Sequence, residues 1–119
     1  MSDFVRVAVL TEVPMGTALK VSVKDRPIAL VNCAEGVFAV SDICSHADVS
    51  LSEGEVIDCT IECWLHGSQF NLRTGAPLSP PALTPVSTYE VRLVDDAGIT
   101  HIEVATSPNP VSTDGRFQS

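Results

Sequence analysis

Two short segments of this chain contain the residues best suited to bind a metal centre: Cys-Ser-His at positions 44–46 and Cys-Trp-Leu-His at positions 63–66. Two thiolates and two imidazoles form a four-ligand set that suits zinc or an iron–sulfur centre. Two such chelating loops at adjacent hairpin tips can hold one centre from both sides, and Gly67 allows a tight turn after the second loop. The sequence therefore predicts one centre with four ligands: Cys44, His46, Cys63 and His66.

Outside these segments the chain has the pattern of short β-strands joined by turns. Strands are predicted at residues 4–9, 18–24, 28–31, 37–40, 89–93 and 99–105, and turns at residues 24–27 and 95–98. Short strands that recur at regular intervals are typical of sandwiches and barrels. We therefore expect an all-β protein, with an antiparallel β-sandwich or partly open barrel.

The middle of the chain, residues 42–82, interrupts this pattern and contains both metal-binding segments. The prolines at 80–81 cannot donate to a strand ladder, so this part is expected to be a loop. Sites tend to lie on loops that project from a rigid scaffold. We predict a single domain over residues 1–105, a small metal-binding subdomain at about 42–82, and a flexible tail at 106–119, which is rich in Ser, Pro, Asn and Gly.

The charge of the chain narrows its possible partners. The net charge is −8, which argues against nucleic acid, because contacts to phosphates need clustered Lys and Arg. No Lys or Arg lies between Arg26 and Arg73, whereas seven acidic residues do: Glu35, Asp42, Asp48, Glu53, Glu55, Asp58 and Glu62. This stretch is either a docking face for basic protein surfaces or an ordinary solvated surface.

The predicted compartment of the protein bears on the state of its cysteines. No run of 18 apolar residues could span a membrane, and no secretory signal is visible, so a cytoplasmic location is expected. Thiols stay reduced in the cytoplasm. Cys33 and Cys59, which do not fit the ligand spacing, are therefore predicted to be structural thiols rather than disulfide partners.

The two metal-binding segments, called here the first box (residues 44–46) and the second box (residues 63–66), resemble at this spacing those of the Rieske family. The resemblance extends over roughly residues 4–105. It implies one [2Fe-2S] cluster per chain, with Cys44 and Cys63 on one iron and His46 and His66 on the other. It also implies that the histidine side faces solvent and serves as the exit for the electron. Ser68, the turn at 73–75 and the prolines at 80–81 also look like features of this family.

The chain departs from the high-potential branch of the family at three positions. Val49 and Leu65 stand where respiratory members have a pair of disulfide-forming cysteines, so packing by Trp64, Leu51 and the prolines is expected to hold the loops. Phe70 stands where that branch has a tyrosine, which removes one hydrogen bond to a ligand sulfur. Such bonds stabilise the reduced state. The nearby acids Asp42, Asp48 and Glu62 also disfavour added negative charge. We therefore expect a potential near the low end of roughly −150 to +300 mV.

These features resemble the soluble ferredoxins of bacterial ring-hydroxylating oxygenases. The resemblance implies a monomeric carrier that passes one electron from a flavin-dependent ferredoxin reductase to a terminal non-haem iron oxygenase. The chain would not itself be an enzyme, because only His101 remains for a second iron site. The alternatives are a Rieske-like small subunit of nitrite reductase, an accessory protein of iron–sulfur assembly, and a zinc-stabilised interaction module.

Overall fold

A computed structural model of the protein describes residues 3–43, 49–65, 67–78 and 85–109. Three antiparallel sheets have the strand orders β1-β10-β9, β2-β3-β4-β8 and β5-β6-β7, which confirms the predicted all-β class. The strands are β1 Phe4–Val9, β2 Thr17–Val23, β3 Arg26–Cys33, β4 Gly36–Ser41, β5 Val56–Ile57, β6 Thr60–Glu62, β7 Gln69–Asn71, β8 Thr88–Tyr89, β9 Val91–Asp96 and β10 Ile99–Ala105. Short 3₁₀ helices span Leu10–Glu12 and Leu51–Glu53. No described helix is long and apolar enough to span a membrane.

Strand β3 is the centre of the fold because it is buried on both faces. Ile28, Ala29, Leu30 and Val31 are all fully buried. Ile28 and Leu30 belong to the core shared with the β1-β10-β9 sheet, whereas Ala29 and Val31 belong to the core shared with the β5-β6-β7 sheet. An uninterrupted apolar run is the pattern expected of a strand that lies between two layers.

The predicted hairpin turns are confirmed by the backbone. Lys24 and Asp25 join β2 to β3 with φ values of 52° and 66°, and Ala97 and Gly98 join β9 to β10 with φ values of 54° and 82°. Two central residues with positive φ match the right-handed twist of the flanking strands. The short polar turns therefore set the strand registers.

Two strand predictions need correction. Strand 4–9 forms, but the regular alternation expected of Val5, Val7 and Val9 on one face is broken, because the register of β1 shifts between Arg6 and Ala8 and Ala8 is buried. The predicted strand 89–93 is divided at Glu90. Thr88–Tyr89 pairs with β4, whereas the following residues pair with β10, because the chain passes from one sheet to the next at this point.

The prediction that Cys33 and Cys59 are free thiols is wrong, because they form a disulfide. Cys33 ends β3 and Cys59 lies in the turn between β5 and β6, and packing of the small sheet on β3 brings their Cα atoms to 5.4 Å. This separation lies within the range that a disulfide can bridge. The bond joins the central sheet to the small sheet covalently.

The predicted tail starts with anchored residues. The Thr106 amide donates to the carbonyl of Asp3, and the Asn109 amide donates to the carbonyl of Thr88. The rest of that segment, residues 110–119, lies outside the described part of the chain.

Candidate metal centre

Cys63 is the predicted ligand that the structure describes; Cys44, His46 and His66 lie outside the described residues, as do residues 79–84 with the prolines. Cys63 directly follows β6, is fully buried and forms no disulfide. It packs in the core that also contains Leu51, Ile61 and Phe70. A buried free thiol beside the small sheet is consistent with a ligand that is shielded from water.

The backbone around Cys63 forms a closed turn. The Cys63 amide donates to the carbonyl of Ser68 at 2.7 Å, and the Gly67 amide donates to the carbonyl of Cys63 at 2.8 Å. Gly67 has a φ of 77°, in the region that favours glycine, which confirms the predicted tight turn. The ends of the second box are therefore fixed by the backbone itself.

The base of the first box is fixed by Asp42. Its amide donates to the carbonyl of Pro27 at 3.0 Å, and its carbonyl accepts the Leu51 amide at 2.6 Å. Its carboxylate oxygen Oδ1 accepts the Ser52 amide at 2.7 Å. Ile43 and Ser50 form an isolated bridge just above. The residues on either side of positions 44–46 are therefore held together by the hydrogen bonds of Asp42 and by the bridge between Ile43 and Ser50.

The flanks of the two boxes meet at Gly54. A Cβ atom at this position would fall on the backbone carbonyl oxygen of Glu62, the residue before Cys63. The Glu62 amide also donates to the carbonyl of Glu55 at 2.8 Å. The chain that leaves the first box thus runs directly against the chain that enters the second box, and only glycine permits this approach.

The disulfide narrows the set of available thiols. Cys33 and Cys59 are joined to each other, and Cys63 is the free cysteine among the described residues. The remaining cysteine of the sequence is Cys44. The two cysteines outside the disulfide are therefore the two that the sequence assigns to the boxes, which fits a centre that needs two thiolates.

Two residues that are predicted to hold the loops by packing differ in burial, since Trp64 is half exposed and Leu51 is buried. Trp64 is 51% exposed and Leu65 is 45% exposed, because both lie within the turn that the Cys63–Gly67 hydrogen bond closes. Leu51 is fully buried in the core that also contains Cys63. Leu78, which follows β7, is also half exposed. Apolar side chains are thus presented to solvent next to the second box.

The acidic stretch does not form one face. Asp42 is fully buried, and Glu35 forms an ion pair with Arg73. Glu53, Glu55 and Asp58 remain exposed around the small sheet. The two alternatives for this stretch, a docking face or an ordinary solvated surface, therefore concern these exposed residues, and Asp48 lies outside the described part of the chain.

The sequence predicts Asp42 only as one of the nearby acids that disfavour added negative charge, and it does not reveal that Asp42 is buried and hydrogen-bonded at the base of the first box. The only available signal was its position at the end of an apolar strand, two residues before a predicted ligand. The sequence also gave no sign that Glu103 is nearly buried between Arg6 and Arg92 on the far sheet.

Comparison with known proteins agrees with this geometry. The profile of the Rieske [2Fe-2S] domain matches residues 3–90. The ferredoxin subunit of anthranilate 1,2-dioxygenase from Burkholderia cepacia is 44% identical over 70 residues, which cover 59% of this chain and 65% of that protein. The ferredoxin subunit of biphenyl dioxygenase from Pseudomonas sp. strain KKS102 is 40% identical over 91 residues, which cover 76% of this chain and 84% of that protein.

Solved structures show the same relationship. A ferredoxin chain from a complex of reduced oxygenase and oxidised ferredoxin in carbazole 1,9a-dioxygenase superposes with a TM-score of 0.79 at 31% identity, covering 90% of this chain and 96% of that chain. Small subunits of nitrite reductase superpose at 21–22% identity, which shows a shared fold alone.

Proposed function

This chain belongs to the Rieske [2Fe-2S] domain family and is an electron-transfer protein, and we propose that four named residues hold its single cluster. Those ligands are Cys44, His46, Cys63 and His66. The observation that supports them is the disulfide between Cys33 and Cys59, which leaves only the two box cysteines as thiols. When bound, the cluster takes up and releases one electron.

The proposed ligands and the residues around them determine the reduction potential of the centre. Two neutral imidazoles in place of two thiolates make the centre less negative, so adding an electron costs less free energy than in an all-cysteine ferredoxin. The buried phenyl ring of Phe70 lacks a hydroxyl that could donate to sulfur. We therefore propose a potential near the low end of the Rieske range.

We also propose the partners on each side of the carrier. A flavin-dependent ferredoxin reductase supplies the electron, and a terminal non-haem iron oxygenase accepts it. The ferredoxin subunits of dioxygenases and the oxygenase–ferredoxin complex among the relatives support this assignment. Exposed Trp64 and Leu65 lie within the second box, and Glu53 and Glu55 lie nearby in sequence. Such residues suit partner surfaces that are apolar at the centre and basic at the rim.

The ligand assignment is tested by metal analysis of purified variants. Wild-type protein should contain two irons and two acid-labile sulfides per chain, with the reduced-state EPR signal of a mixed-ligand cluster. Cys63→Ser and His66→Ala should lose the iron and the signal. The matched control is the double variant Cys33→Ser/Cys59→Ser, which should keep both irons. Full iron content in Cys63→Ser, or one zinc and no sulfide in the wild type, would contradict the assignment.

The partner assignment is tested by reduction kinetics. Stopped-flow reduction by a purified ferredoxin reductase of a dioxygenase system should slow as salt is added, and Glu53→Gln/Glu55→Gln should weaken that dependence. A rate that does not change with salt would contradict docking through the exposed acidic residues. The monomeric state and the cytoplasmic location remain predictions, to be checked by light scattering and cell fractionation.

A further inference from the structure

Asp42 carries a fully buried carboxylate with one oxygen left without a hydrogen bond. Oδ1 accepts the Ser52 amide, but Oδ2 has no hydrogen-bond partner in the described part of the chain. Among the described residues, the cation that pairs with this oxygen is Lys20, whose Nζ lies 3.9 Å from Oδ2 and whose side chain is 58% exposed. A buried carboxylate that is paired only with a solvated ammonium group keeps much of its electrostatic effect on its surroundings.

The charge of Asp42 lies close to the proposed centre. It lies two residues before Cys44, and two residues of extended chain span at most about 7 Å. Hydrogen bonds through its amide, its carbonyl and Oδ1 fix it at the base of the first box. The carboxylate therefore has a fixed position near the first box. Because it is buried, water screens its charge only weakly.

We propose that the buried charge of Asp42 lowers the reduction potential of the centre, and that the charge of Lys20 partly offsets this effect. This inference rests on the proposed function. Reduction adds one electron and makes the centre more negative, so a nearby buried anion disfavours the reduced state. The Lys20 ammonium acts in the opposite direction, and more weakly because water screens it.

The competing explanation is that Asp42 only anchors the loop. Asp42→Asn separates the two roles, because the asparagine oxygen can still accept the Ser52 amide while the charge is removed. Lys20→Gln removes the opposing charge from an exposed side chain and leaves the loop untouched. Asp96→Asn is the control, since Asp96 is an exposed acid at the end of β9 on another sheet.

The test is a redox titration of the holoprotein with dithionite and mediators, followed by circular dichroism and EPR. Asp42→Asn should favour the reduced state by about tenfold, which corresponds to about 59 mV for one electron. Lys20→Gln should disfavour the reduced state by a smaller factor of about two to three. Asp96→Asn should match the wild type.

Each outcome bears on one claim. Equal potentials for wild type and Asp42→Asn, with full iron content in both, overturn the inference and leave the proposed function intact. If Asp42→Asn does not retain iron, Lys20→Gln decides the question, and an unchanged or raised potential in that variant overturns the inference. Wild-type protein without a two-iron cluster would contradict the ligand assignment instead.

Discussion

The central sheet and the small sheet beside the centre are held together in different ways. β2 and β3 pair through seven residues, and β3 is fully buried on both faces, so many apolar contacts share the stabilisation. β5 and β6 pair through only two residues, and β6 and β7 through three. The small sheet shares an apolar core with β3 through Ile61 and Phe70, but because its ladders are short it also depends on a few local features: the Gly54 contact, the Cys33–Cys59 disulfide and the Asp42 hydrogen bonds. Single substitutions should therefore be more damaging in the small sheet.

The largest effect is expected at Gly54. Gly54→Ala places a methyl group on the carbonyl oxygen of Glu62, so one of the two backbones that enter and leave the boxes must move. We expect a loss of about 4 kcal/mol in the free energy of unfolding, above the usual cost of overpacking because the contact is with backbone, together with reduced iron content. Urea unfolding and iron analysis measure the two effects.

The matched control for Gly54 is Gly98→Ala in the turn between β9 and β10. This position has a φ of 82° but no atom close to an added Cβ, so the substitution costs only backbone strain of about 1 kcal/mol. The variant should keep its full iron content. Equal losses of iron in the two variants would show that the two regions do not differ in the way described above.

The next effect is expected from the disulfide. It closes a loop with a sequence separation of 26 that contains the whole first box, and cross-linking such a loop stabilises a fold by about 3.5 kcal/mol in the chain-entropy treatment. Cys33→Ser/Cys59→Ser should therefore unfold at a lower temperature than the oxidised wild type. Thermal denaturation with and without a phosphine reductant measures this.

The reductant supplies the internal control for the disulfide. It should lower the melting temperature of the wild type towards that of the double variant and leave the double variant unchanged. A melting temperature of the wild type that does not respond, with thiol titration showing that Cys33 and Cys59 are both free after reduction, would mean that the bond does not stabilise the fold.

The same contrast explains what the sequence could predict. The β2–β3 turn and the buried run of β3 are encoded in adjacent residues, so local patterns revealed them. The disulfide between Cys33 and Cys59 depends on how the small sheet packs against the central sheet, which no local pattern contains. The boxes were recognisable because each is a short motif. The burial of Asp42 was not, because it depends on which residues cover it.

The smallest of these effects is expected in the β1-β10-β9 sheet, at Glu103. Its carboxylate accepts hydrogen bonds from Arg92 at 2.7 Å and from Arg6 at 3.3 Å, and Arg92 also stacks over the ring of Phe4. The hydrogen bond from Arg92 is the main cause of a pKa lower than the ordinary value for this carboxyl; partial burial opposes the shift, and Arg6 adds to it. A lowered folded-state pKa stabilises the fold above the ordinary value of 4.5, and this contribution is lost as the pH falls through the folded-state pKa.

Glu103→Gln should therefore flatten the dependence of stability on pH below about 4.5, relative to wild type. Glu90→Gln is the matched control, because Glu90 is exposed and forms no ion pair within the described ranges. The stability of this variant should fall with decreasing pH as that of the wild type does. Urea midpoints between about pH 3 and 7 give the comparison. Because Glu103 lies in a sheet remote from the boxes, iron content at neutral pH should stay at the wild-type level. If the stability of Glu103→Gln falls at low pH as steeply as that of the wild type, other carboxylates control acid unfolding. This sheet would then depend, like β3, on apolar burial rather than on its ion pairs.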